Sequence, residues 1–262
     1  MSTYRVHAYN TAVASDNKIH DDDIARRLGF RGGLVPGVDV YAYLTHPAAD
    51  RWGRAWLDHG CISARFLEPV YDGDVIEVVA VDSESGLALE LRNAAAELCA
   101  EATVCLPRPH ASAPDIAAYP AADLPAEPPP ASPSTLIEGA VLGSFESGFH
   151  ADRASEYLAD VREESPLYRA EGLAHPGYLM RSANYILAAN VKLGPWIHVA
   201  SEVQNFSAAE DADRISTRGR VQAVYEKKGH RFVELDLLMV ANGSRPVLHV
   251  HHTAIYRPRH LA

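Results

Sequence analysis

Asp16, Asn17 and His20 stand within five residues of one another in the run "SDNKIHDDD", which begins at Ser15. An imidazole takes or gives a proton near neutral pH, and a carboxylate beside it would complete an acid–base pair. An amide can orient water or the ring without competing for protons. A duller reading stands next to this one: His20 closes a strand, and Asp21, Asp22 and Asp23 cap and charge a short helix from Ile24 to Leu28, ended by Gly29. Arg26, Arg27 and Arg31 could meet phosphates, or simply pair with those aspartates on a solvated face. A second cluster, "HVHH", sets His249 and His251 on one face of a strand, but no third ligand is in view in the sequence, so no metal is expected. The chain has no G-x-S-x-G, P-loop or G-x-G-x-x-G, which leaves serine-hydrolase, nucleotide and dinucleotide readings without support.

The elements that must hold these residues belong to a chain of 262 residues with a formal charge of −10. That balance argues against nucleic acid as a partner, because phosphate contact wants a basic face. The three cysteines, Cys61, Cys99 and Cys105, show no paired spacing and read as buried free thiols. Without a signal-like start or a long apolar run, the chain is expected to be cytoplasmic, in a reducing compartment, with no membrane contact.

Residues 107–134 hold nine of the seventeen prolines and read as an extended linker between residues 1–106 and 135–262. The flanking parts look like copies. Pro36, Gly37, Trp56 and Phe66 recur as Pro176, Gly177, Trp196 and Phe206, and after a one-residue slip Asp72, Asp74 and Ile76 recur as Asp211, Asp213 and Ile215. In each copy a Pro-Gly turn opens a helix: Val38 to His46, stopped by Pro47, in the first, and Tyr178 to Ala189 in the second. Strands follow, over 61–67, 74–81, "GLALELRN" and "AELCAEATVCL" in the first copy. The second has 199–206, 214–225, 230–241 and 246–256. A helix followed by a meander suggests an antiparallel sheet wrapped around that helix. Trp56 and Trp196 read as equivalent core residues.

The segments "NKIHDD", "GFRGGLVPG" and "RFLEPVYDGDVIEV" together resemble the MaoC-like dehydratases and (R)-specific enoyl-CoA hydratases. Asn17, Ile19, His20, Arg65, Phe66, Pro69, Val70, Gly73 and Asp74 fit the family pattern, and the match runs over about residues 15–81. The resemblance implies an α+β double hot-dog, two antiparallel sheets each wrapped around a central helix and paired edge to edge. It implies hydration of enoyl thioesters, or dehydration of 3-hydroxyacyl thioesters, on coenzyme A or an acyl carrier protein, with no cofactor. The chain departs from the pattern in three places. Ser15 fills the position of the family's catalytic aspartate, Lys18 stands where proline is usual, and the active loop lies in the first copy rather than the second.

By this resemblance His20 is the general acid or base and Asn17 the orienter. Gly37, at a helix start whose N–H and dipole favour negative charge, is the oxyanion donor. Asp16 would replace the missing carboxylate if a local bulge turns it inward; otherwise the reaction is reduced or lost. Ser15, Tyr168, His175 and Arg181 are expected to line the substrate pocket. Tyr168 is read as standing where the second copy's histidine would be. A hot-dog thioesterase and a non-catalytic acyl-thioester binder are the rival readings. The duplication supplies internally the pairing of two hot-dogs, so a monomer or a homodimer is expected.

Overall fold

The computed structural model describes residues 1–259. One antiparallel sheet of ten strands organises it. The first half supplies β1 (Ser2–His7), β2 (Cys61–Phe66), β3 (Val75–Ser83), β4 (Gly86–Asn93) and β5 (Leu98–Cys105). The second supplies β6 (Phe145–Gly148), β7 (Ile197–Asn205), β8 (Arg214–Lys227), β9 (His230–Ala241) and β10 (Arg245–Arg257). Their order is β1-β3-β4-β5-β2-β7-β10-β9-β8-β6. Read outward from the centre, the two halves have the same order, and the seam is the antiparallel pair β2–β7. This is the double hot-dog architecture, with its two sheets merged edge to edge.

The duplication extends to individual turns. Asp72 Oδ1 accepts from the Asn10 N–H at 2.8 Å, and Asp211 Oδ1 from the Ala151 N–H at 2.8 Å. Asp74 Oδ2 accepts from the Tyr71 N–H at 3.0 Å, and Asp213 Oδ2 from the Glu210 N–H at 2.8 Å. The D-x-D repeat is therefore a turn-capping device used twice, with each carboxylate satisfying a backbone donor that the strand ladder cannot reach.

Two long helices, α2 (Gly37–Trp52) and α6 (Pro176–Asn190), pack against each other over the inner face of the sheet. Short helices fill the ends: α1 (Asp22–Arg27), α3 (Arg54–His59), α4 (Ala151–Asp160) and α5 (Pro166–Glu171). Pro47 does not stop α2 at His46, as the sequence suggested. The helix runs on to Trp52, burying Ala48 and Ala49 completely or nearly so. That burial and the later helical hydrogen bonds offset the one bond that proline removes.

The proline-rich segment is docked rather than loose. Its turn at Ile116–Ala118 sets Tyr119 against Leu238 and Val240, which face outward from β9. Further on, the Ala131 N–H donates to the Lys192 carbonyl at 2.9 Å. The segment thus covers an apolar strip on the outer face of the second half that would otherwise meet water.

The thiols differ from expectation. Cys61 and Cys105 face each other across β2 and β5 and are joined by a disulfide, with Cα atoms 5.2 Å apart. Cys99 alone is free and buried. The cysteine pattern missed the pairing because strand register, not sequence spacing, brings the two sulfurs together. With the pair bonded, the cysteines no longer argue for a reducing compartment. Among the described residues no helix is long and apolar enough to cross a membrane.

Candidate active site

His20 ends a single turn of 3-10 helix, Lys18–His20. Three contacts fix it. The Asn10 amide donates to its carbonyl at 2.9 Å, and its ring Nδ1 lies 2.7 Å from the Leu34 carbonyl oxygen. Its Nε2 lies 3.3 Å from Asn17 Nδ2. A ring nitrogen facing a carbonyl must carry the proton, so Nδ1 is the N–H and Nε2 holds the lone pair. Burial lowers the His20 pKa from its ordinary value, and the Leu34 hydrogen bond only partly counters that. The imidazole is neutral at pH 7, with its basic nitrogen preset.

The loop is shaped for this. Asp21 caps α1 by accepting from the Ile24 N–H at 2.9 Å, and Asp22 Oδ1 accepts from the Gly33 N–H at 2.8 Å. A side chain on Gly33 would place its Cβ 2.2 Å from the His20 carbonyl oxygen, so only glycine lets Leu34 come close enough to meet the ring. Arg26 pairs with Asp22 and Asp23, and Arg31 with Asp74, which is the solvated-face reading of these arginines.

Asn17 is held by the other half of the chain. Its Oδ1 accepts from the Trp196 N–H at 3.2 Å, and its Nδ2 donates to the Trp196 carbonyl at 3.0 Å. These two bonds settle which end of the amide is which. They turn the second Nδ2 hydrogen toward His20 Nε2.

Two cavities meet at this point. One, of about 280 Å³, is walled by Ile19, Phe30, Val40, Phe66, Val70 and Ile197 and is mainly apolar. The other, of about 590 Å³, is more polar and includes Thr11, Ser15, Asp16, Arg181 and Lys192. Asn17, His20, Asn184 and Trp196 line both. The two halves contribute jointly, with His20 and Asn17 from the first, Asn184 and Trp196 from the second.

Gly37 is the first residue of α2 and lines the apolar cavity. Its N–H precedes the helical hydrogen-bond ladder and has no partner among the described residues. Across from it, His198 presses so close that a Cβ on Gly37 would lie 2.9 Å from its Nδ1. His198 is buried, and its Nε2 lies 2.8 Å from Ser201 Oγ, which lies 3.1 Å from His252 Nδ1. Burial holds His198 well below the usual imidazole range, and the neighbouring His252 adds to that. Sequence reading did not single out His198. Its signal was a histidine on the inward-facing side of a strand, two residues after Trp196.

The second copy is closed where the first is open. His175 caps α6, its Nδ1 accepting from the Gly177 N–H at 3.1 Å, so the donor that corresponds to Gly37 is occupied. The Leu34 N–H donates to Ile19, and in the second copy the Leu173 N–H donates to Tyr168. Tyr168 therefore stands in the place of Ile19, not of the histidine as the sequence suggested; the next residue, Arg169, is exposed. Tyr168 and His175 pack together in the core, with ring centroids 4.6 Å apart, and neither lines either cavity. Nearby, Glu163 is buried between His46, at 3.0 Å, and His175, at 3.6 Å. Burial would raise its pKa, but the two histidines outweigh that and hold it well below the carboxylate range.

Of the other expected residues, Ser15 and Arg181 line the polar cavity. Arg181 Nη2 donates to the fully buried Asp39 at 3.1 Å, tying α6 to α2. Asp16 also borders that cavity, but it is exposed and makes no hydrogen bond with His20 among the described residues. No bulge turns it inward; the Leu34 carbonyl has the position on the ring that a carboxylate would take.

No protein-family profile matches the chain, and no curated protein matches it. Solved structures do. A MaoC-like dehydratase superposes with a TM-score of 0.62 at 13% identity, over 98% of each chain. A conserved hypothetical protein of Mycobacterium tuberculosis, described as a double hot-dog, gives 0.61 at 14% identity, over 97% of this chain and 96% of that one. A Novosphingobium aromaticivorans protein described provisionally as a thioesterase gives 0.53 at 11% identity, over 98% and 96%. These likenesses establish the double hot-dog fold.

Proposed function

We propose that the protein is a lyase that hydrates enoyl thioesters, or dehydrates 3-hydroxyacyl thioesters, carried by coenzyme A or an acyl carrier protein. The observation that supports this best is the neutral imidazole of His20, its tautomer set by Leu34, on the wall shared by an apolar and a polar cavity. The apolar cavity suits an acyl tail, and the polar one, with Arg181 and Lys192, suits the carrier arm.

In the hydration direction His20 Nε2 takes a proton from water while the water oxygen bonds to the β-carbon. The alkene electron pair moves through the α-carbon onto the thioester oxygen. The Gly37 N–H, backed by the start of α2, stabilises that oxygen. The imidazolium then returns its proton to the α-carbon, so one histidine serves as base and then acid. Asn17 positions the ring and the water. No carboxylate is needed for this proton balance, although its absence lowers the basicity available to His20.

The test is purified protein with crotonyl-CoA. Hydration consumes the conjugated-enoyl absorbance without releasing thiol, and His20→Ala lowers the rate by about 10²–10⁴-fold while circular dichroism stays unchanged. Thiol release instead would identify a hot-dog thioesterase. Saturable binding that survives His20→Ala, with no turnover in either assay, would identify an acyl-thioester binder.

A further inference from the structure

We propose that the outer face of the sheet carries a binding site for one divalent transition ion of the zinc class, held by His249, His251 and Asp236. The third ligand, invisible in the "HVHH" run, comes from the neighbouring strand. Asp236 on β9 pairs in register with His251 on β10, and one ligand atom from each of the three residues lies within 4.8 Å of the others. Small side-chain rotations bring such a set to Zn–N and Zn–O bonds of about 2.0–2.2 Å. Two imidazoles and one carboxylate select a zinc-like ion over calcium or magnesium, which prefer all-oxygen shells.

Features around the three residues point the same way. Gln222 Oε1 lies 2.8 Å from His251 Nδ1, which makes that nitrogen the N–H and leaves the Nε2 lone pair for an ion. Gln222 sits at a bulge in β8, between Val221 and Ala223, and a bulge re-aims the side chain it carries. Tyr119, from the docked linker, donates to Asp236 at 2.9 Å and holds the carboxylate in place. His249 Nε2 donates to Asp236 Oδ1 at 2.6 Å and lies 3.0 Å from Tyr119 Oη, so an ion bound there takes the place of that Nε2 proton; Arg220 lies on the other oxygen, 3.8 Å from Oδ2. A cleft of about 300 Å³, lined by both histidines and by Glu202, leaves room for a fourth ligand from solvent. Glu202 is also the register partner of His251 on β7, which brings a second carboxylate to this cleft opposite the Arg220 guanidinium.

The experiment is titration of the full-length, chelator-stripped protein with Zn²⁺ by calorimetry. Co²⁺ substitution reports the geometry through its visible absorption. One ion is expected to bind per chain, with Co²⁺ bands of tetrahedral intensity. His251→Ala and Asp236→Asn should each weaken binding by about tenfold or more. His251 makes no bond with Tyr119, so its variant separates loss of the ion from loss of linker docking. Absence of stoichiometric binding, or binding that both substitutions leave unchanged, overturns the proposal.

Discussion

Asn17 and Trp196 lie 179 residues apart in the chain, yet one side-chain amide meets both backbone groups of the tryptophan. That pair of hydrogen bonds joins the halves at the point where the two cavities meet, and it aims the amide at His20. The loop that carries His20 is therefore held from the opposite copy.

Asn17→Ala removes both bonds and leaves the Trp196 backbone groups unmatched, at a cost of about 1–3 kcal/mol in urea unfolding. The rate should fall further than stability explains, because His20 Nε2 loses the side-chain amide that lies 3.3 Å from it. Asn17→Asp places a charge beside Nε2 and favours the imidazolium. The acid limb of kcat/KM should then move to higher pH than in the wild type, whose lowered His20 pKa puts that limb below 6.5.

Gly37→Ala drives a methyl group into His198. The expected loss of stability is about 1–3 kcal/mol, from overpacking. Adding His198→Ala should recover most of it. A double-mutant cycle on denaturation midpoints checks the coupling, and additive losses would contradict the contact.

His175→Ala opens the capped start of α6 and removes one of the two histidines facing Glu163. It should lower stability by about 1 kcal/mol or more while leaving the KM for a thioester unchanged, since His175 lines neither cavity. A raised KM would restore the pocket role that the sequence suggested.

Stability should fall in mild acid. Burial pushes His252 down to about 3 and holds His198 well below its usual value. In the unfolded chain both bind protons below about pH 6.5, whereas in the fold they stay neutral. Their contribution is thus complete above pH 6.5 and is lost as pH drops toward 3, at up to about 1.4 kcal/mol per pH unit for each. Urea midpoints measured between pH 7 and pH 5 check this, and a His252→Leu variant should show the shallower slope.

Residues that recur were the legible ones. The Pro-Gly helix starts and the D-x-D turns revealed the duplication because each copy needs the same caps, and the long strands carried enough alternation to read. The elements passed over bury little: in β1 only Val6 is buried, and in α4 only Tyr157 and Leu158, so no period is written there. Site residues set by register were out of reach for another reason. The Cys61–Cys105 bond, Asp236 beside His251 and the backbone of Trp196 beside Asn17 depend on which strands and loops become neighbours. His20 and Gly37 were visible because loop and helix start are continuous in sequence. The misplacement of Tyr168 came from counting residues across loops whose lengths differ, whereas the Asp16 reading rested on a local bulge that the backbone does not form.

The plug at His175 has a consequence for the whole architecture. Two identical chains pairing through β2-like edges would carry identical helix starts, and any change to one would strike both. Fusion of the halves lifts that constraint. One copy has the start of its helix sealed by its own imidazole, while the other, among the described residues, leaves the first amide of its helix uncapped at a cavity wall. Broken symmetry, not merely duplication, is what sets the two helix starts apart.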